Sequence, residues 1–146
     1  MLNSKKSLLV LILYLLSFSN VFSMGADVFV QSTVNRASKI LGNSISKEEK
    51  INQLKKIAKE TVDIRGIGLY TLGAERKNQS EEILKVYNDL FEDYFLKSFS
   101  SRLAEYTNPE IDVYNKEVLN KNYTIVNSLL QAKGDRPEIK IDWRIY

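Results

Sequence analysis

The chain has 146 residues, no cysteine and no histidine, and carries 21 basic and 18 acidic side chains. Without cysteine there is no disulfide framework, thiolate metal site, cysteine nucleophile or acylated lipoprotein anchor; without histidine most transition-metal sites and most general acid–base mechanisms also drop out. Lys5 and Lys6 are the only charged groups in the first 23 residues, so the remainder holds 19 basic against 18 acidic groups, a balance unlike the footprint of a nucleic-acid binder.

Those two lysines precede an apolar run from Ser7 to Leu16 broken only by Tyr14, which is the positive n-region and apolar h-region of a secretory signal peptide. Val21-Phe22-Ser23 puts a small residue before a cut and a β-branched one two earlier. Cleavage is expected after Ser23, with Gly25 as the second choice. An uncleaved anchor would need about 20 apolar residues, and this run is shorter. From Met24 onward roughly 120 residues remain, enough for a single small domain that buries less than about 70% of its unfolded surface.

Asp27 is an expected N-cap, and Phe29, Val30, Val34, Ala37, Ile40 and Leu41 then recur at helical spacing until Gly42-Asn43, predicting a helix over 28–41. Ser46-Lys47-Glu48-Glu49 reads as a capping box opening a second helix, whose apolar stripe is Ile51, Leu54, Ile57, Ala58 and Val62. Asp63 can cap a third, short helix from Ile64 to Leu72, stopped by Gly73. Ile64, Ile67, Leu69, Tyr70 and Leu72 make it apolar on nearly every side, so it is expected to be buried or to line something. Gly66 and Gly68 inside it cost roughly 1 kcal/mol each, which points to close backbone approach. They do not form a phosphate loop, because the third glycine and the preceding strand are missing.

Ser80-Glu81-Glu82 opens the longest predicted helix, 81–106, with its acids at the positive end of the macrodipole. Its apolar side is aromatic: Ile83, Tyr87, Leu90, Phe91, Tyr94, Phe95, Phe99, Leu103 and Tyr106. Tyrosines in such a stripe suit a surface that is apolar yet meets polar groups. After Thr107-Asn108-Pro109 the period falls to two, giving strand-like segments at 111–114, 123–130 and 139–146. Ile139, Ile141, Trp143 and Ile145 alternate with Lys140, Asp142, Arg144 and Tyr146, one face dry and one wet. Helices followed by an antiparallel sheet predict an α+β fold with the helices on one face of the sheet. The last strand runs to Tyr146 with no turn or cover after it. The chain is therefore expected either to protect that edge with charges or to be a C-terminally truncated fragment.

The ordered set of features resembles the MlaC / toluene-tolerance family, the soluble periplasmic component of the Mla phospholipid-transport system. The resemblance is carried by Val62-Asp63 with Leu72-Gly73 after it, the cap at Ser80, and the aromatic spacing Tyr87, Phe91, Phe95 and Phe99. It continues through Ser101-Arg102-Leu103-Ala104-Glu105-Tyr106 to the closing Ile141-Asp142-Trp143-Arg144-Ile145. Two departures stand out. Ala74-Glu75-Arg76-Lys77 lies where relatives often carry an aromatic, and the family's turn, further strand and C-terminal helix do not follow Tyr146. The second departure favours the fragment expectation.

The resemblance implies a non-enzymatic carrier, without cofactor, that holds a phospholipid in a cleft between helices and sheet. It also implies two partners, an inner-membrane ATP-binding-cassette (ABC) transporter complex and an outer-membrane lipoprotein complex, with outer-membrane lipid asymmetry as the outcome. Burial of a methylene is worth about 0.8 kcal/mol, so exposing a 16-carbon chain costs on the order of 12 kcal/mol, and a lipid crosses water only inside an apolar sleeve. The candidate lipid-contacting walls are Ile57, Ile64, Ile67, Tyr70, Tyr87, Phe91, Tyr94 and Phe95 from helices, and Val113, Ile125, Ile141 and Trp143 from strands. For each of these, packing in an ordinary core is the competing assignment. Two other readings stay open: an enzyme using Asp63 as general base in an apolar cleft, and an adaptor domain with a solid core.

Overall fold

The computed structural model describes residues 25–146; the expected signal peptide, 1–23, and the preferred cut after Ser23 lie outside them. Helix α1 (Ala26–Gly42) begins one residue before Asp27, with Gly25 as an N-cap that contributes no side-chain bond. Asp27 therefore sits in the first turn rather than capping it. Helix α2 (Lys47–Thr61) is capped as predicted, Ser46 Oγ accepting from the Glu49 amide at 3.1 Å. The reciprocal half of the box is not made, because Glu49 Oε1 accepts from Gln53 Nε2 instead. Asp63 caps α3 (Ile64–Thr71), its carboxylate accepting from the Gly66 amide at 2.9 Å. Gly73, at φ +56°, ends that helix in a conformation that a side chain would strain. A 3-10 turn (Gly73–Lys77) leads to the Ser80 cap and helix α4 (Glu81–Leu103).

Helix α4 is three residues shorter than its apolar spacing predicts. Its final amides tighten to i→i+3 bonds, Glu105 to the Arg102 carbonyl and Tyr106 to that of Leu103, before Asn108 turns the chain at φ +48°. Strand β1 (Ile111–Asn120) is longer than predicted, while β2 (Tyr123–Leu130) and β3 (Ile139–Ile145) agree closely. The strands form an antiparallel meander in the order β1-β2-β3. A register shift between Val113 and Asn115 inserts Tyr114 as an extra residue, so the alternation read from sequence fails there although pairing continues.

Two apolar clusters hold these elements. Val30 and Val34 of α1 pack on Val126 of β2, flanked by Phe29, Ile111, Val113, Trp143 and Ile145. Ala58, Ile64 and Leu96 form the second cluster, between α2, α3 and α4, with Val62, Phe91, Phe95 and Phe99 around it. The α+β class holds, with one refinement: α1 is the helix that lies on β1 and β2, whereas α4 packs on α2 and α3 and makes no extensive contact with any strand. Arg36 pairs with Glu60 to tie α1 to α2, and Lys59 reaches Glu92 at 2.7 Å to tie α2 to α4.

Candidate functional site

The i, i+4 spacing of Tyr87, Phe91, Phe95 and Phe99 stacks four rings along one side of α4, with centroids 5.8, 6.3 and 5.4 Å apart. Helix α3 lies against this row at Gly68. A Cβ built there would come within 2.9 Å of Phe91 Cδ1, so the close approach inferred from that glycine is real. The Tyr87 hydroxyl donates to the Gly68 carbonyl at 3.1 Å and shares a 2.8 Å bond with Thr71 Oγ1. The tyrosine thus meets a polar group at the edge of an apolar seam. Asn88 Oδ1 is buried in the same seam without a hydrogen-bond partner among the described residues.

A second apolar row on α4 has no such neighbour. Ile83, Val86, Leu90 and Tyr94 fall at i, i+3, i+7 and i+11 and are all exposed, Leu90 by 65% and Tyr94 by 69%. On α3, Ile67 and Tyr70 are exposed as well. The short apolar helix is therefore buried only through Ile64 and Gly68.

The expected wall residues separate into three sets. Ile57 and Ile64 are buried, and Phe91 and Phe95 are half-buried against the second cluster; these are core. Ile67, Tyr70 and Tyr94 stand open to solvent, with Tyr87 half-buried beside them. On the sheet, Val113 and Trp143 pack towards α1, and the Trp143 indole N–H donates to the buried Ser128 Oγ at 2.8 Å. Ile141 pairs with Ser128 and shares that face.

Ile125 does not belong with them. It is in register with Glu117 and Arg144, one residue out of phase with Val126, Ser128 and Leu130, and so lies on the opposite face of the sheet. Ile125 cannot wall a cleft between helices and sheet. Sequence reasoning grouped Ile83 and Leu90 with the core stripe and passed over Val86. The available signal was that α4 is apolar over more of its circumference than one buried contact requires.

Asp63 is exposed and its carboxylate is engaged as a helix cap, so it does not sit in an apolar cleft as a general base would. A depression of about 460 Å³ runs along the outward side of α1, lined by Val28, Gln31, Ser32, Asn35, Arg36 and Lys39. None of the expected wall residues reaches it.

The sequence model described as MlaC protein matches residues 31–146. The chain belongs to the MlaC family. That match spans α1 from its second turn through β3, and so includes the whole second apolar cluster, Val34 and Val126 of the first, and both rows of α4. No curated protein matches the chain. Among solved structures, a phospholipid-binding protein from Ralstonia solanacearum, determined in complex with a phospholipid, is similar in fold, with a TM-score of 0.64 and 14% sequence identity. The likeness covers 82% of this chain and 69% of that one. Helices first and a meander second is thus an arrangement that this chain shares with that protein.

Proposed function

We propose that this MlaC-family chain is a periplasmic carrier that binds a phospholipid non-covalently and performs no chemistry on it. The observation that carries the reading is α4, with one apolar row packed on α3 and another, Ile83, Val86, Leu90 and Tyr94, left open. Further apolar surface is available on the sheet at Ile141 and Trp143, which remain partly accessible on the side where α1 also packs. Acyl chains lie between these surfaces. Tyr94, open to solvent, offers a hydroxyl, and the head group remains near solvent. The phospholipid held by the Ralstonia protein of similar fold supports this assignment.

Family membership and the expected leader support a wider role. Residues 1–23 direct export and are removed, and the product exchanges lipid with an inner-membrane ABC complex and an outer-membrane lipoprotein complex. The test is to purify the protein from the periplasm, extract it with organic solvent and identify bound lipid by mass spectrometry, then offer it labelled phospholipid in liposomes. Co-purified phospholipid and uptake of label are expected. Absence of both refutes the carrier reading.

A further inference from the structure

Helix α3 is fixed firmly at its start and lightly at its end. Ile64 is buried in the second cluster and Asp63 caps the first turn. Beyond Ile64 the only buried position of the helix is Gly68, whose missing side chain lets α3 lie on Phe91. Two glycines in eight residues also weaken the helix itself. The Leu69 carbonyl accepts from Arg76, but Arg76 belongs to the 3-10 turn that follows, so this bond ties α3 only to its own continuation. Among the described residues, the hydrogen bonds that join α3 to α4 all pass through one group, the Tyr87 hydroxyl.

That hydroxyl closes a triangle. Tyr87 Oη lies 3.1 Å from the Gly68 carbonyl oxygen and 2.8 Å from Thr71 Oγ1, and Thr71 Oγ1 lies 2.7 Å from the same carbonyl. Each hydroxyl has one proton to give, so the three contacts share two protons, and either arrangement bonds Tyr87 to the last turn of α3. Stacking on Phe91 at 5.8 Å places the ring beneath it. Ile67 and Tyr70, in the same stretch of α3, are exposed. We propose that the Tyr87 hydroxyl is a positioning group for lipid binding: it fixes the last turn of α3 on α4 and so sets where Ile67 and Tyr70 stand relative to the open row of α4. This rests on the carrier reading above. An acyl chain is kept by many weak contacts at once, and a turn that comes loose withdraws those that α3 supplies. The hydroxyl thereby governs how long a lipid stays without touching it.

The test loads the protein purified from the periplasm with fluorescent phosphatidylcholine and follows its release to unlabelled phosphatidylcholine vesicles. Tyr87→Phe keeps the ring and its stacking and removes only the hydroxyl. Release should quicken about tenfold, the factor that one hydrogen bond of ordinary net strength supplies. Thr71→Val leaves the bond from Tyr87 to Gly68 and should give a smaller increase, while Thr71→Ser should behave as the parent. The double variant should match Tyr87→Phe alone, because Thr71 reaches α4 only through Tyr87. In lipid-free protein, Tyr87→Phe should speed hydrogen exchange at the amides of 68–72 and leave α2 and β2 unchanged. Release unaltered by Tyr87→Phe, from a parent that carries the label, overturns the proposal. So does exchange that quickens throughout the helical layer, which would make the hydroxyl a general stabiliser. A parent that takes up no label refutes the carrier reading and this proposal with it, an outcome distinct from the other two.

Discussion

The α1–sheet layer and the α2–α4 layer fill their interiors with different side chains. Val30, Val34 and Val126 close the first, two of them fully buried, and Ser128 and Trp143 add a hydrogen bond inside it. The second relies on Leu96, Ile64 and a row of stacked phenylalanines that are only partly covered. Stiff β-branched side chains hold one surface shape, whereas large rings at the margin of a cluster keep apolar area within reach of a further partner. The sheet layer is built as a frame, and the α4 layer leaves apolar area exposed.

The strongest way to break this contrast is Leu96→Ala, which removes a buried side chain from the helical cluster and is expected to cost about 2–5 kcal/mol in urea unfolding. If the layers are separately held, hydrogen exchange will accelerate in α2–α4 before it does in β2. Simultaneous loss of protection would make them one cooperative unit. Gly68→Ala comes next. The added methyl meets Phe91 within 2.9 Å, and the resulting overpacking is expected to cost about 1–3 kcal/mol.

Changes on the exposed row sharpen the contrast from the other side. Leu90→Ser with Tyr94→Ser alters residues that touch little, so stability should move by no more than about 0.5 kcal/mol. Uptake of labelled phospholipid, measured in the same preparation, should fall. A large loss of stability would show that the row is core.

The smallest expected effects are electrostatic and have opposite pH signs in the two layers. Lys116 Nζ lies 2.7 Å from Asp27 Oδ1, and this bond holds the Asp27 carboxyl below its ordinary value of 3.8. Its contribution is present above that value and is lost as pH falls through the lowered one. In the helical layer the hydrogen bond to Glu92 raises Lys59 above its ordinary 10.5. That contribution is present below 10.5 and fades as pH rises beyond it. Both groups are exposed and screened, so their contributions to stability are small. Thermal melts of Lys116→Met should flatten the acid limb and leave the alkaline one alone, and Lys59→Met the reverse.

Much of the fold was legible because the chain punctuates its helices with side chains that have one local job. Ser46, Asp63 and Ser80 each cap where the sequence places them, and Gly73 takes the positive φ expected of a stop. The second half of β1 was hidden because Tyr114 breaks the period of two. The bulge moves Lys116 onto the α1 side of the sheet, where it reaches Asp27. Ile125 was misplaced because β2 is apolar on both faces, Tyr123 and Ile125 on one and Val126 and Leu130 on the other. Only its pairing with Arg144 and Glu117 decides between them. The site was legible as a list of greasy helix positions but not as a surface, since sequence alone does not tell a covered row of α4 from an open one.

The turn after α4 carries a mechanical consequence. Lys133 donates to the carbonyls of Thr107 and Asn108 at 3.0 and 3.1 Å, and the Arg136 guanidinium lies 4.5 Å over the Tyr106 ring. The C-terminal end of the long helix is thereby riveted to the hairpin that joins β2 and β3, while its N-terminal end at Ser80 has no comparable tie to the sheet among the described residues. That other end is held through α2 and α3 instead, by the Lys59–Glu92 pair and the Gly68–Phe91 contact, so a movement of α4 against the sheet turns about Asn108 and carries α2 and α3 with it.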